Sequence, residues 1–205
     1  MHVVFVNGPP RSGKDTIGDF VVEHLGGRAR KTKFARSLKL AAHGLLAGLL
    51  DEMPRMDKHG YLVGDLEPLH DDAYFENLKD TPSPECLGIT FRQLYIAVSE
   101  DLCKKLFGAD IFGRLAMYTI ATNRSVDVWV ITDSGFAIEA EPIMKAVGPE
   151  NCTLVHVHRE GKTFAGDSRS YIQLPGVQTL ELYNNGGLND LSYTVRTALM
   201  GKIGQ

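Results

Sequence analysis

Cysteine is scarce in this chain of 205 residues, and the three present, Cys86, Cys103 and Cys152, form no CxxC pair. Such a set builds neither a disulfide framework nor a thiolate metal site, so we expect buried, reduced thiols. The sequence also lacks any apolar run near the roughly 20 residues that span a bilayer. Met1 leads directly into a strand-like segment rather than a signal peptide. We therefore expect a soluble, cytoplasmic protein.

The sequence also has no excess of positive charge. Lysine and arginine total 22 against 25 aspartates and glutamates, which gives a net charge of -3 and argues against a protein whose whole surface binds nucleic acid. A local basic stretch does exist, without any acidic residue, and consists of Arg28, Arg30, Lys31, Lys33, Arg36 and Lys39. A polyanion site and a charged edge strand that discourages aggregation explain this stretch equally well.

Short β-rich runs alternate with helical patterns, which is typical of an α/β fold with a mostly parallel sheet and helices on both faces. The predicted strands cover 2–7, 126–132, 152–158 and 178–183, with 126–132 as the best central strand; the predicted helices cover 14–25, 36–50, 91–107, 110–123, 136–147 and 188–202. Thr90 and Gln93 have the spacing of a helix capping box. We expect a single domain over residues 1–205.

The stretch 51–89 interrupts this alternation. It contains four prolines and ten acidic against three basic residues, a composition that predicts an irregular, solvated acidic insertion or lid region.

Residues 8–14 read GPPRSGK and fit the pattern GxxxxGK. In such a loop the backbone amides surround phosphate oxygens and the lysine ammonium reaches the β and γ phosphates. Glycine at both ends permits close approach of the main chain, and the following helix adds its N-terminal dipole. Because the loop follows a predicted strand and opens a predicted helix, we expect it to bind ATP through Gly8, Pro9, Pro10, Arg11, Ser12, Gly13, Lys14, Asp15 and Thr16.

Two carboxylates are candidates for holding Mg²⁺. Asp15 stands where such loops usually carry a serine or threonine, and a carboxylate is tolerable beside phosphates only if Mg²⁺ or a cation such as Arg11 separates them. Asp133 follows the apolar run VWVIT at the predicted carboxyl edge of the sheet, where ligands bind in open α/β folds. We expect Asp15 or Asp133 to hold the metal, although a helix-capping role also explains Asp133.

Other charged residues are candidates for contacts with the reacting groups. Glu139 and Glu141 lie in the predicted helix 136–147, where a solvated helix face explains at least one of them. Candidates for phosphate contacts are Arg92, Arg159, Lys162 and Arg169, the last three in a glycine-containing loop that would close as a lid. His156 and His158 alternate along a predicted strand and are best explained as packed, hydrogen-bonded residues.

Several short motifs occur in a fixed order: RSGKDT at 11–16, FARSLK at 34–39, TFRQL at 90–94, ITD at 131–133 followed by Glu139-Ala140-Glu141, and YNNGGLNDL at 183–191. As an ordered set running through most of the chain, they resemble the phage-type deoxynucleoside monophosphate kinases, and RSGKDT is the most specific of them. The resemblance implies that ATP is the donor and that Asn185 lies near the adenine. For a phage-encoded enzyme the compartment would be the host cytoplasm.

The acceptor half departs from that family. Its members usually read D-x-R after the central strand, whereas this chain reads Asp133-Ser134-Gly135, so the arginine expected to hold an acceptor phosphate is absent. The segments YIAVSED at 95–101 and GDSRSYI at 166–172 also differ. This combination resembles more closely the phage kinases that phosphorylate 5-hydroxymethyluracil already built into DNA.

The two acceptors make different chemical demands. An alcohol needs a carboxylate near its proton, which Asp133 or Glu139 would supply. DNA needs a flipped base and a basic rim, roles open to the basic stretch that includes Arg36 and to Phe136 or Tyr171. A free monophosphate needs cationic clamps instead, for which Arg159 or Arg169 would replace the missing arginine.

The sequence therefore predicts an ATP- and Mg²⁺-dependent kinase acting on 5-hydroxymethyluracil in DNA. A kinase of free deoxynucleoside monophosphates is the alternative. A P-loop NTPase that hydrolyses rather than transfers is a further one.

Overall fold

The computed structural model describes residues 1–51, 79–82 and 86–203. They belong to two compact units, one formed by Met1–Ala35 and Ala109–Gln205, the other by Arg36–Gly108. Most of the predicted acidic insertion at 51–89 lies outside the described residues. Of the helices in the described ranges, none is both long and apolar enough to cross a membrane.

A five-stranded sheet organises the described part of the first unit. Its strands are β1 (His2–Asn7), β2 (Ala29–Thr32), β3 (Val128–Ile131), β4 (Cys152–His158) and β5 (Gln178–Tyr183), in the order β2-β3-β1-β4-β5. Every pairing is parallel, which confirms the predicted α/β class. β1 is the middle strand, and β3, predicted as central, lies inside the sheet between β1 and β2.

The helices follow the predicted pattern closely. In chain order they are α1 (Lys14–Leu25), α2 (Ala35–Asp51), α3 (Phe91–Ile96), α4 (Lys104–Phe107), α5 (Ile111–Thr122), α6 (Ala137–Val147), α7 (Leu188–Thr194) and α8 (Gly201–Ile203). The predicted helix 91–107 is realised as α3, a π-helical stretch (Ala97–Cys103) and α4. A second π-helical stretch (Val195–Met200) joins α7 to α8.

The core of the first unit forms around β1. All four residues from Val3 to Val6 are completely buried, and successive side chains of a strand point to opposite faces, so both faces of the sheet are covered there. On one face Val4 and Val6 pack in a cluster with Ile17 and Val21 of α1. Burying a side chain of this size contributes about 1.5–3 kcal/mol. This packing holds the start of α1 at the carboxyl edge of β1.

The second unit has its own apolar cluster, formed by Ala42, Leu46, Cys86, Phe91, Leu94, Tyr95 and Val98. The predicted capping box starts α3: the Thr90 hydroxyl accepts a hydrogen bond from the Gln93 amide at 3.1 Å, and the Gln93 side chain accepts one from the Thr90 amide at 2.8 Å. The cysteines form no disulfide, as predicted, and Cys86 and Cys152 are buried, whereas Cys103 is only partly buried.

Candidate functional site

The loop between β1 and α1 makes a tight turn that depends on glycine. Gly13 has a φ of 101°, and Arg11 also lies in the left-handed region at 60°. A side chain at Gly8 would bring its Cβ within 2.7 Å of the Val157 carbonyl oxygen on β4. The loop thus needs glycine at Gly8 for close packing and at Gly13 for its backbone angles, as the GxxxxGK pattern predicts.

Lys14 lines a cavity of about 300 Å³ together with Arg11, Gly13, Asp15, Thr16 and Arg159. Its ammonium folds back over the loop and donates to the carbonyl oxygens of Gly8 and Pro9, both at 2.7 Å. Burial lowers the pKa of Lys14 to about 8, with a further contribution from the charge of Arg169. The lysine is therefore a partly desolvated cation in a small polar cavity.

Ser12 marks the inner side of the same loop. Its hydroxyl is buried and, among the described residues, finds no hydrogen-bond partner. Buried hydroxyls without partners are rare in folded proteins, because an unmade hydrogen bond costs free energy. A ligand with acceptor oxygens would satisfy this group.

Asp15 is tied to strand β3 and to the chain just before α2. One carboxylate oxygen accepts a hydrogen bond from the Thr132 hydroxyl at 2.6 Å, and Lys33 approaches to 3.1 Å. Burial acts to raise the pKa of Asp15, but the bond from Thr132 and the Lys33 charge outweigh it and the net pKa is lowered. Asp15 is thus an ionised oxygen donor on the wall of the cavity.

Asp133 lies at the carboxyl end of β3 and caps the start of α2. Its two oxygens accept hydrogen bonds from the main-chain amides of Phe34, at 2.8 Å, and Ala35, at 2.9 Å. Burial raises the pKa of Asp133, and these two amides oppose the shift. Asp133 thus caps a helix, as the alternative interpretation predicted, but the capped helix is α2 rather than the one that follows Asp133 in the chain.

Two neighbouring asparagines after β5 hold the loops together. The buried Asn184 donates to the carbonyl oxygen of Ser12 at 2.8 Å, so it supports the phosphate loop directly. Asn185, predicted to lie near the adenine, is exposed and accepts a hydrogen bond from the Glu160 amide at 2.8 Å. Sequence reasoning missed Asn184, although its place beside Asn185 in the NNGG segment was a usable signal.

Asn7, the last residue of β1, makes three hydrogen bonds. Its amide nitrogen donates to the carbonyl oxygens of Ser134, at 2.8 Å, and Ser170, at 3.1 Å, and its oxygen accepts from the Ile172 amide at 3.1 Å. The end of β1 is thereby bound to the turn after β3 and to the loop after β4. No sequence signal pointed to this residue, because the contacts join segments more than 120 positions apart.

The predicted arginines occupy different environments. Arg159 lines the cavity and donates to the Arg11 carbonyl oxygen at 3.4 Å. Arg169 forms a bidentate ion pair with Asp167, at 2.8 and 2.5 Å. Arg36 and Arg92 belong to the second unit, where Arg36 is exposed and Arg92 pairs with Asp80.

The remaining candidates lie on α6 or at its start. Glu139 is buried in the first turn, whereas Glu141 pairs with Lys145 at 3.5 Å on the exposed side, which agrees with a solvated position for one of the two. Phe136 precedes the helix and is 37% exposed. The structure does not place Glu139 or Phe136 on the wall of the cavity.

The histidines of β4 are packed and hydrogen-bonded, as predicted. His156 and His158 both contact the Glu181 carboxylate, at 3.2 and 2.5 Å. Tyr171 donates to the Val157 carbonyl oxygen at 3.0 Å, and its ring lies 4.8 Å from that of His158. This network fixes the loop after β4 against the sheet.

The basic stretch 28–39 includes an edge strand of the sheet, β2. Three of its cations are ion-paired: Arg28 with Asp127, Lys31 with Asp19, and Lys33 with Asp15. These contacts favour the edge-strand explanation over a polyanion site, because paired cations present less net charge to a ligand.

The sequence matches no protein-family model and no curated protein. Solved structures that it resembles include a sugar kinase from Janibacter sp. HTCC2649 in an unliganded state, at 11% identity, covering 98% of this chain and 95% of that one, with a TM-score of 0.48. Dephospho-CoA kinase from Campylobacter jejuni is similar at 12% identity, with coverages of 97% and 95% and a TM-score of 0.41.

Proposed function

We propose that this chain is an ATP-dependent kinase whose phosphate loop is Gly8 to Lys14. The observation that carries the proposal is Lys14 on the wall of a cavity of about 300 Å³, in the loop that follows the carboxyl end of a parallel strand. Phosphate oxygens would replace the Gly8 and Pro9 carbonyls as partners of this lysine, while the amides at the start of α1 face the same anion. The unpartnered Ser12 hydroxyl supports the same ligand.

The donor set fits a hard divalent cation. Asp15 offers an ionised carboxylate on the cavity wall, and Thr16, which also lines the cavity, would add a hydroxyl oxygen; both are ligands that suit Mg²⁺. When bound, Mg²⁺ neutralises charge on the phosphates. The Thr132 hydroxyl and Lys33 hold the Asp15 carboxylate in place from the other side.

In the transfer step an acceptor oxygen attacks the γ-phosphorus, the bond to the β–γ bridging oxygen breaks, and ADP leaves. Lys14 stabilises charge that develops on the transferred group. Excluding water from the cavity prevents hydrolysis from competing with transfer, and the loop that carries Arg159 covers one side of it.

We propose the hydroxymethyl group of 5-hydroxymethyluracil in DNA as the acceptor. Its proton must leave as the oxygen attacks, and the raised pKa of Asp133 suits a carboxylate that accepts a proton. A flipped base needs an aromatic surface, which the exposed ring of Phe136 offers beside Asp133 in the chain.

A free deoxynucleoside monophosphate is the second candidate. The aliphatic stem of Arg169 lies against Gly135, the position where the resembling family carries its arginine, so an arginine from another loop passes the same turn. The ion pairing of the basic stretch, which removes part of a DNA-binding rim, favours the same candidate.

One assay separates the candidates. ATP labelled at the γ-phosphate is offered with Mg²⁺ to duplex DNA containing 5-hydroxymethyluracil, to the same DNA with thymine, and to the four common deoxynucleoside monophosphates. We expect label in the modified DNA alone. Label only in nucleoside diphosphates would establish the second candidate, and full ATP turnover without any acceptor would establish an NTPase.

Lys14→Ala tests the loop itself in this assay. Transfer to every acceptor should fall by at least about 10²-fold, because transition-state charge loses its nearest cation. The matched control is Arg124→Ala, which removes an exposed cation from the turn after α5 and should leave transfer unchanged. Equal activity of the two variants would remove the loop from the mechanism.

A further inference from the structure

The peptide between Ser12 and Gly13 is held by a side chain from outside the phosphate loop. The Ser12 carbonyl accepts a hydrogen bond at 2.8 Å from the side chain of Asn184, which is buried and is not part of the cavity wall. Because the peptide bonds of the described residues are trans, the Ser12 carbonyl and the Gly13 N–H point in opposite directions. The Gly13 amide therefore faces away from Asn184, on the side where Gly13 lines the cavity.

The Gly13 amide has no hydrogen-bond acceptor among the described residues, whereas the preceding amide, of Ser12, donates to the Pro9 carbonyl at 3.3 Å. Main-chain N–H groups of folded proteins are almost always paired with protein, water or ligand. A donor left over on the wall of a polar cavity is thus a place for an acceptor oxygen. The buried Ser12 hydroxyl, which also lacks a partner in the described part of the chain, belongs to the same turn.

Glycine at position 13 does not fix the orientation of this peptide plane by itself. Gly13 has a φ of 101° and a ψ of 17°. Because glycine adopts positive and negative φ about equally well, the plane between Ser12 and Gly13 can turn over at little conformational cost. A turned plane would direct the Ser12 carbonyl oxygen, the negative end of the peptide dipole, at a bound phosphate. The loop therefore needs a contact from elsewhere to keep the donor facing the anion.

Asn184 makes this contact from the end of the sheet. Its main-chain amide donates to the His158 carbonyl at 2.8 Å, which continues the pairing of β4 and β5 by one residue. Its side-chain nitrogen lies so close to Gly13 that a Cβ at that position would overlap it. Glycine at position 13 thus permits both the turn of the loop and the approach of Asn184, and the strand end fixes where the side chain begins.

We propose that Asn184 is a positioning residue of the phosphate loop: by holding the Ser12 carbonyl it turns the Gly13 N–H toward the cavity, where this amide donates to a phosphate oxygen of the nucleotide. The inference rests on the proposed function, because it concerns the same phosphate site. Asn184 does not touch the nucleotide itself, so its effect on phosphate affinity passes through one peptide plane.

Asn184→Asp tests the proposal, because it keeps the shape of the side chain and replaces the donor by an acceptor. The introduced carboxylate repels the Ser12 carbonyl and attracts the Gly13 amide, so the peptide plane should turn over. Calorimetry at pH 8 with Mg²⁺ measures the binding of ADP and of pyrophosphate, which lacks the nucleoside. We expect this variant to bind both ligands about tenfold more weakly or worse, since hydrogen bonds to charged groups have this size. Asn184→Ala, which only removes the donor, should have a smaller effect.

The pH dependence separates this mechanism from a general loss of structure. As the pH falls from 8 to 5, protonation gives the introduced carboxyl group an O–H that can donate to the Ser12 carbonyl again. Relative to the wild type at the same pH, the affinity of Asn184→Asp should therefore recover, whereas that of Asn184→Ala should not.

Asn123→Asp is the matched control. The Asn123 side chain donates to the Thr119 carbonyl at 2.7 Å after the end of α5, so this variant loses an equivalent bond outside the phosphate loop. It should bind ADP and pyrophosphate as the wild type does, even where urea denaturation shows that it is less stable.

The wild type supplies a second measurement that does not depend on the folding of any variant. In ¹⁵N-labelled protein the amide proton of Gly13 should move downfield when ADP binds with Mg²⁺, because this N–H gains a hydrogen bond to a charged oxygen.

The outcomes distinguish this inference from the proposed function. A Gly13 amide that does not shift in the ADP complex of the wild type, or an Asn184→Asp variant with wild-type affinity for pyrophosphate, would overturn the inference and leave the kinase proposal standing. Weaker binding of ADP alone would place the effect of Asn184 at the nucleoside and would overturn it as well. A wild-type protein that binds neither ligand would overturn the proposed function and this inference together.

Discussion

Lys14 concentrates the chemistry of the site in one residue. Its ammonium donates hydrogen bonds to the Gly8 and Pro9 carbonyls. The charge of Arg169 lowers the pKa of Lys14, and the carboxylates of Asp15, Asp167 and Asp133 raise it. Burial dominates this balance and lowers the pKa of Lys14 to about 8. A charged phosphate at the loop would favour the ammonium, so binding should raise the pKa of this group.

This shift predicts proton uptake on nucleotide binding. Above pH 8 the free protein carries a partly deprotonated Lys14, whereas the complex carries the ammonium, so affinity should fall as the pH rises through about 8 and each binding event should take up part of a proton. Calorimetry of ADP binding at pH 8.5, in buffers of different ionisation enthalpy, measures this uptake.

Lys14→Arg is the matched control for proton uptake. Its guanidinium remains charged throughout this pH range, so uptake from position 14 should disappear even if the affinity changes. Identical uptake by the wild type and Lys14→Arg would assign the proton to another group and contradict the prediction.

At the scale of elements, the starts of α1, α2 and α3 differ in whether a side chain caps their main-chain amides. α1 begins with the phosphate loop and has no side-chain cap. α2 begins where Asp133 accepts two main-chain amides, and α3 begins with the Thr90 capping box. Side chains of the protein thus accept hydrogen bonds from amides at the starts of α2 and α3. The amides at the start of α1 have no side-chain cap and are placed to bind a ligand.

Thr90→Ala should destabilise the second unit. The substitution removes the acceptor of the Gln93 amide and should cost about 1 kcal/mol, within the usual range for an N-cap. Urea denaturation followed by circular dichroism measures the change.

The control for this variant is Thr122→Ala, at an exposed threonine whose hydroxyl donates to the Tyr118 and Thr119 carbonyls of its own helix and accepts a long contact of 3.5 Å from the neighbouring Asn123 side chain. It should change stability by less than about 0.5 kcal/mol. A Thr90→Ala variant as stable as Thr122→Ala would show that the capping box contributes nothing measurable.

At the scale of the whole molecule, the phosphate loop and the sheet belong to one unit and α3 belongs to the other. The chain's only tryptophan, Trp129, lies buried in β3 within the first unit. Its fluorescence therefore reports unfolding of the unit that carries the proposed nucleotide site.

Nucleotide should raise the midpoint of thermal unfolding detected by Trp129. A ligand at 100 times its Kd stabilises the folded state by about 2.7 kcal/mol, which for a protein of this size amounts to roughly 5–10 °C. The measurement compares protein alone, with Mg²⁺, and with Mg²⁺ and ATP. Lys14→Ala should lose most of the shift, and a shift that survives in this variant would locate the nucleotide elsewhere.

Much of the fold was determined by sequence alone. The strands at 2–7, 152–158 and 178–183, the helix at 14–25 and the capping box at Thr90 are properties of local periodicity and short-range hydrogen bonding, so a linear pattern contains them. The phosphate loop is equally local, because its angles depend on Gly13 and its proposed function on adjacent amides and Lys14. The composition of 28–39 fits an edge strand and a polyanion site equally well, because a short charged edge strand such as β2 has no strong apolar pattern.

Only the tertiary structure decided which residues surround the phosphate loop. Hydrogen bonds across more than 110 positions in sequence join segments around the site, through Asn7, Asn184 and Thr132. A side chain at Gly135 would collide with Arg169, which explains the glycine only once the fold is known. The sequence at 133–135 shows an arginine missing, yet folding brings Arg169 to the same turn. A linear sequence records which residues are present, but the distance between two side chains is set by how the sheet brings the loops together.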